Sequence, residues 1–476
     1  MNYAESKDTN INVINLLLLP GLLAIVLLLI TDRLSLMLAV VAVPFLLILM
    51  LQILRIPITM YFSIFTLNYF ILGLSRYTLL PGTSFFMDIL IHSTMILIFL
   101  HTALSRSIEW KHVFNSLTIG FFFWMIYCLA EIYNPSGMVK AWVLSRGLVI
   151  NGFIISLLVS LLFDKYKWIK LLIGMYAVFT LIGVAKAVMQ KSFGFDWAEV
   201  LWLNKGGYKT HLISTGTRYF SFFSDAGNMG SNMGCAAVVF FIATLYIRNI
   251  GLKLFYLFVG FCALYAMFLS GTRGAMIVPL AGLALFAIVS KNYKLLISSG
   301  AALILIYVFF AHTMIGQSNQ QIRRMRTAFN PTEDGSFNVR LENQRILAAH
   351  LKNKPFGEGL GLSGVENQDI SMRLTTQIPH DSWYVKIWVE TGVVGITLYL
   401  LILFIVVGRG TWILMFRVKN RELKGYLAGL LCGIFGMLIS AYGNAFWGQY
   451  PTNIIAFTGL ALVLKAEHFE KELSKQ

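Results

Sequence analysis

Pro379-His380-Asp381-Ser382-Trp383-Tyr384 closes a polar segment, 314–384, and runs directly into the apolar stretch 385–407. That change from charged loop to span, within a few residues, sets how the chain is read. It consists of hydrophobic helices threaded through a bilayer, with chemistry reserved for a few polar segments between them. Apolar runs of 18 or more residues recur along the sequence, each able to cross ~30 Å of hydrocarbon as a helix. The alternating ten-residue pattern of a transmembrane β-barrel is absent. A mean hydropathy of +0.72, with 57% hydrophobic and 13% charged residues, leaves little surface for water. The expected fold class is an all-α polytopic membrane protein of about 12–14 transmembrane helices with one large external loop.

Spans are expected at 11–30, 34–54, 57–74, 84–103, 113–131, 147–163, 168–189, 228–247, 252–270, 274–290, 295–313, 385–407, 425–441 and 449–465. The first, Ile11 to Ile30, is too long for a signal peptide and lacks a small-residue cleavage site, so it reads as a retained span. Five regions follow from this pattern: amino-terminal helices in 1–190, an external loop 191–227, central helices in 228–313, the large loop 314–384, and carboxy-terminal helices with a tail in 385–476.

Orientation follows from lysine and arginine in short connections. Arg106 and Lys111, then Lys165, Lys167 and Lys170, then Arg248 and Lys253, then Lys291 and Lys294 fall on alternate loops. Arg409, Arg417, Lys419, Arg421 and Lys424 continue the set, and Lys465, Lys471 and Lys475 end it. That face is expected to be cytoplasmic. The net charge of +16 is then an orientation signal plus contacts with anionic membrane lipids, not a sign of nucleic acid as partner. Four spans separate 190–227 from 314–384, an even number, so parity puts both on the outer face together with Ser270-Gly271-Thr272-Arg273-Gly274.

Arg218 and Arg273 stand out because they fall at the ends of spans amid apolar neighbours. A guanidinium at a membrane boundary seeks an anion, and its planar fork matches phosphate oxygens with two parallel hydrogen bonds. Two converging there suit a diphosphate, although snorkelling to the headgroups fits them too. Arg323-Arg324-Arg326 fits a headgroup contact equally well. The four cysteines lie within spans and form neither a disulfide framework nor a metal-ligand spacing. No Walker-type phosphate loop, external Asp-x-Asp or carboxylate pair for glycoside hydrolysis is evident. Trp197, Trp202, Tyr208, Tyr219, Trp383 and Tyr384 suit either sugar stacking or an interfacial aromatic belt.

Four stretches together resemble the bacterial O-antigen ligase and O-antigen polymerase superfamily. They are Arg218-Tyr219-Phe220-Ser221-Phe222-Phe223-Ser224-Asp225-Ala226-Gly227-Asn228, Ser270 to Ala275, Pro355-Phe356-Gly357-Glu358-Gly359-Leu360-Gly361, and Pro379 to Tyr384 followed by Glu390-Thr391-Gly392-Val393-Val394-Gly395. Each is weak alone; their order over about 180–400 is specific. Asp381 stands where the family often has Asn, and the span count exceeds the usual dozen. The resemblance implies a GT-C-like glycosyltransferase architecture in the bacterial inner (cytoplasmic) membrane with a periplasmic active site. The donor it implies is an undecaprenyl-pyrophosphate-linked glycan, the acceptor a hydroxyl of lipid A-core or of another glycan, with no cofactor and no metal.

On that footing Arg218 and Arg273 stabilise the leaving diphosphate and His380 is the general base, with inversion at the anomeric carbon. Asp381 tunes or orients His380. Arg340 resembles the family's third arginine, at the start of a helix through Leu351 whose Leu341, Ile346, Leu347 and Leu351 suit packing on the membrane or over the spans. Asp225, Asn228 and Tyr384 complete the expected substrate-binding set. Ligase and polymerase share this chemistry and differ in acceptor; the external histidine motif favours the ligase. A lipid-linked sugar transporter or flippase is the alternative of a different class, but it predicts repeated halves and midplane polar residues, and the sequence has no internal repeat.

Overall fold

The computed structural model describes residues 56–78, 83–105, 108–213, 216–318, 320–326 and 335–475. The spans expected at 11–30 and 34–54 lie outside the described residues. Every other expected span is a helix. In chain order these are α1 (Ile58–Thr78), α2 (Thr83–Ser105), α3 (Ser116–Ala130), α4 (Arg146–Leu162), α5 (Tyr166–Phe193), α6 (Ala226–Tyr246), α7 (Ile250–Leu269), α8 (Ile277–Ser290) and α9 (Tyr293–His312). The large loop carries α10 (Gly335–Leu351), and α11 (Trp383–Phe416), α12 (Arg421–Ser440), α13 (Thr452–Leu464) and α14 (Ala466–Leu473) complete the chain. Among the described residues ten helices are long and apolar enough to cross a membrane, and α13 is apolar but shorter. The protein is an all-α polytopic membrane protein; its one described sheet is a hairpin of β1 (Leu212–Ile213) and β2 (Gly216–Thr217).

The centre of the bundle is α6 and α12, whose apolar windows are each 83% buried against 39% for α11. Glycines explain the close approach. Gly425, Gly429, Gly433 and Gly436 form one stripe of α12, and a methyl group at Gly429 would fall 2.8 Å from the Val239 carbonyl of α6. In a lipid phase such small-residue seams supply packing that hydrophobicity alone cannot.

Two elements differ from their sequence reading. The helix expected at 385–407 extends to Phe416 and is broken at Gly392, where φ is +67°. Of the four apolar residues expected to form one face of α10, only Leu347 and Leu351 are buried, against Ile378, Val385 and Val389. Leu341 and Ile346 are exposed. At about 100° per residue, position 341 points well away from the 347–351 stripe, so the four never shared a face.

Candidate functional site

The site begins with how residues 218–225 are held. Phe220 and Ser221 donate their N–H groups to Gln190 Oε1 of α5 (3.2 and 2.9 Å), and Gln190 Nε2 donates to Glu199 (2.7 Å). Beneath them the buried Arg76 of α1 lies between the Trp202 and Phe220 rings, 4.7 and 4.5 Å from their centroids. It donates to the carbonyls of Ser221 (2.8 Å) and Phe223. Asp225 then caps α6, accepting from Gly227 N (2.7 Å) and Asn228 N (3.0 Å). Satisfying these backbone groups with buried side chains fixes an irregular segment that a loop at the membrane boundary could not otherwise hold.

Arg218 is not at a helix end, as the sequence suggested, but in the extended strand exit before α6. Its Nη1 donates to Thr210 O and its Nη2 to Thr272 Oγ1, both at 2.9 Å, while Nε is buried without a hydrogen-bond partner. Burial lowers the Arg218 pKa; Asp225 opposes this, and Arg273 and Arg340 push the same way. An arginine ordinarily near 12.5 stays cationic through such a shift.

These groups line one cavity of about 490 Å³. Arg218, Arg273, Arg324, Arg340 and Lys209 face it, opposed by Asp225 and Asp381, and Gly443 and Asn444 close one side. The lining comes from four chain segments, around 209–225, 272–274, 324–381 and 443–444, all of which the parity count assigns to one face. Thr272 Oγ1 also donates to Ala226 O (3.0 Å), tying the Arg273 turn to the start of α6. Arg324 Nε donates to Gly271 O. His211 accepts from Ala226 N through Nε2 (3.1 Å). Burial holds its pKa at about 4, the hydrogen bond to Gly207 O opposing and Arg218 adding, so the ring is neutral at the cavity wall.

His380 does not line this cavity. The Ser382 N–H donates to His380 O at 2.6 Å around Asp381, whose φ is +50°, a tight and strained γ-turn. Asp381 enters the cavity, 3.9 Å from Arg340 Nε. The His380 ring is buried beside Gly364 and Glu366, with Nε2 3.6 Å from Glu366 Oε1 and Nδ1 without a hydrogen bond. Burial lowers its pKa to about 4; Glu366 opposes, Lys386 adds and Asp381 opposes. Gly364 has φ +79°, and any Cβ there would strike His380 Nδ1.

The Pro355 to Gly361 motif braces the break in α11. Glu358 N donates to Val389 O (2.8 Å) and Gly359 N to Glu390 O (3.0 Å), filling backbone acceptors freed by the break in α11. Gly357, at φ +76°, sits so close to that break that a Cβ would lie 2.6 Å from Val389 O. The Glu358 carboxylate is buried and bound by Lys354 (2.6 Å), Arg373 (2.9 Å) and His350 (3.0 Å). Burial alone raises its pKa, but Lys354 and His350 outweigh it and leave the group below the usual range.

Of the expected residues, then, Arg218, Arg273, Arg340, Asp225 and Asp381 meet in one cavity and His380 adjoins it. Asn228 and Tyr384 do not reach it. Asn228 is fully buried, donating to Tyr450 O (2.9 Å) and accepting from Thr452 (2.7 Å), and the Tyr384 hydroxyl donates to Leu438 O (2.7 Å). Trp383 is buried, with Nε1 donating to Tyr399 (3.2 Å). Trp197 and Tyr208 remain exposed. Sequence reading missed Arg324, Lys209 and Asn444. Arg324 was visible only as one of three neighbouring arginines, and nothing in the spacing tells which of them turns inward. Among the described residues no three of His, Cys, Asp and Glu gather as a metal site needs.

The bundle and its cavity define a class: a multi-pass membrane protein with a strongly cationic pocket at one end. Residues 258–400 match the family described as O-antigen ligase. The family implies a glycosyltransferase-type enzyme with lipid-linked glycan and polysaccharide substrates. The matched segment contains Arg273, Arg324, Arg340, His380 and Asp381 but not Arg218. No curated protein matches the chain.

Proposed function

We propose that the protein moves a glycan from undecaprenyl pyrophosphate to an acceptor hydroxyl at the periplasmic face of the inner membrane, as an O-antigen ligase-like enzyme with lipid A-core as acceptor. The observation that carries this reading is the convergence of four arginines and a lysine on one cavity of about 490 Å³. The acceptor oxygen attacks the anomeric carbon, the carbon–oxygen bond to the diphosphate breaks, and the diphosphate departs with the electron pair. Arginines already fixed by Thr210, Thr272 and Gly271 meet that growing charge without reorganising. The proton passes to His380. Glu366, whose Oε1 lies 3.6 Å from His380 Nε2, pairs the resulting imidazolium. Asp381 and Arg340 mark the donor side of the γ-turn and His380 the acceptor side. The transfer inverts the anomeric carbon and requires no metal.

A repeat-unit polymerase uses the same groups on a different acceptor, so one assay serves both readings. Purified protein is given lipid-pyrophosphate glycan with either lipid A-core or a second donor molecule, with and without chelator. Transfer to lipid A-core, unchanged by chelator, is expected. Chain growth alone makes the protein a polymerase; no transfer to either acceptor rejects the proposal.

A further inference from the structure

At the opposite end of the bundle from the arginine site lies a second, larger cavity of about 1060 Å³. Arg409, on its wall, is 26 residues along α11 from Trp383, about 40 Å at 1.5 Å per residue. The cavity opens between the connection before α3, the connection between α4 and α5, the last turns of α11, and α14. None of it belongs to the transfer site.

Its chemistry is amphiphilic. Ile405 and Ile413 of α11 and Phe114 of the connection before α3 supply apolar wall, while Lys165, Arg409, Lys471 and Lys475 are exposed and make no ion pair among the described residues. Their four acidic neighbours are already engaged: Glu109 with Lys111 at 2.6 Å, Asp164 with Trp168 Nε1 at 2.9 Å, Glu467 with Arg417 at 3.6 Å, and Glu472 with the Tyr166 N–H at 2.7 Å. His112 and His468 meet edge to face in the floor, centroids 4.5 Å apart. Burial, then Lys465, His468 and Lys111, keep the His112 pKa down at about 4 against the opposing pull of Glu109.

We infer that this cavity binds the phosphate headgroup of an anionic phospholipid, with acyl chains lying along α11. Exposed lysines on flexible stems suit a headgroup that exchanges with the bilayer, and basic pockets between spans are a recurring way to hold one. A volume of about 1060 Å³ accommodates a glycerophosphate group with its first acyl carbons. In the orientation proposed above the lipid comes from the cytoplasmic leaflet, but the binding itself does not depend on the transfer reaction.

The test measures lipid retention, not turnover. Full-length protein is purified from detergent with phosphatidylglycerol or phosphatidylcholine and examined by intact-complex mass spectrometry, as wild type and as the triple variant Lys165→Gln, Arg409→Gln, Lys471→Gln. Wild type is expected to retain phosphatidylglycerol at least about tenfold over phosphatidylcholine, and the triple variant to lose that preference. Arg218→Lys, at the other end, keeps it. Equal retention by wild type and triple variant overturns the inference. Displacement of the lipid by millimolar glycerol phosphate overturns it too, since a soluble phosphate is then the ligand. Should the triple variant misfold, a photoactivatable phosphatidylglycerol on wild type decides: crosslinks in 405–413 or 466–475 are expected, and their absence is contrary.

Discussion

The two ends of the bundle both concentrate positive charge, and they do so differently. At one end the cations are arginines whose guanidinium groups are hydrogen-bonded in place: Arg218 to Thr210 and Thr272, Arg324 to Gly271. At the other, Lys165, Lys471 and Lys475 extend into open space on four-carbon stems, beside Arg409, whose guanidinium lies over the Trp412 ring. A planar fork fixed before the substrate arrives stabilises charge that appears only during reaction; a mobile ammonium follows a ligand that is charged all along. Position in the sequence hides this contrast, because both sets read simply as lysine and arginine near the ends of spans.

The widest separation between the two ends is topological. A cysteine at Gln368, exposed in the large loop, is expected to react fully with a membrane-impermeant thiol reagent on intact spheroplasts, and one at Ser474, exposed after α14, not at all. Reversal of that pattern would turn the molecule over and place the arginine cavity in the cytoplasm.

Next in size is the cost of losing a fixed fork. Arg218→Lys keeps the charge but cannot reach Thr210 O and Thr272 Oγ1 with two arms of one planar fork. Its kcat is expected to fall about 100- to 1000-fold, the ~2.7–4 kcal/mol typical of one transition-state donor. Initial rates on membranes with normal protein levels measure this; turnover within a factor of three would make Arg218 a membrane anchor.

How far the sequence foretold this arrangement depends on the element. Hydrophobic period and length found a helix at each of the twelve expected spans among the described residues, ten of them long and apolar enough to cross a membrane, because burial in lipid leaves a signal of ~20 residues each. Residues from the segments that parity grouped on one face line one cavity. What stayed illegible was direction within a loop. Adjacent residues His380 and Asp381 looked like one motif, yet the left-handed turn at Asp381 sends one side chain to the cavity and buries the other. Asn228 looked like part of the site because it follows Asp225, and helix geometry instead points it at Tyr450 and Thr452. Arg76, which shapes the 218–225 segment, lies over 140 residues away and carries no local signal at all.

The histidine side of the γ-turn yields two smaller effects. Gly364→Ala puts a Cβ against His380 Nδ1 and strains a backbone at φ +79°, ψ 153°, a region essentially reserved for glycine, by about 1–3 kcal/mol. Transfer is expected to drop more than thermal stability does, and equal losses would reduce Gly364 to a scaffold role. The pH effect is gentler. Because the folded His380 pKa lies near 4, below its ordinary 6.5, the neutral ring persists as pH falls and transfer stays level from pH 7.5 to about 5.5, declining only toward 4. The same sign holds for stability: the contribution of the neutral buried ring is complete above about pH 6.5 and is lost as pH falls through about 4. A nitrogen-edited NMR titration, with the His380 signal assigned from His380→Gln, checks the value; a midpoint near 6.5 would mean the ring is solvated.

The division of labour between arginine cavity and histidine is the central claim, and donor binding separates them most directly. Affinity for purified lipid-pyrophosphate glycan is measured on wild type, Arg273→Lys and His380→Ala, alongside transfer by the same preparations. The account predicts that His380→Ala binds donor like wild type and transfers nothing, whereas Arg273→Lys loses both. Full transfer by His380→Ala, or undiminished donor binding and transfer by Arg273→Lys, would contradict it.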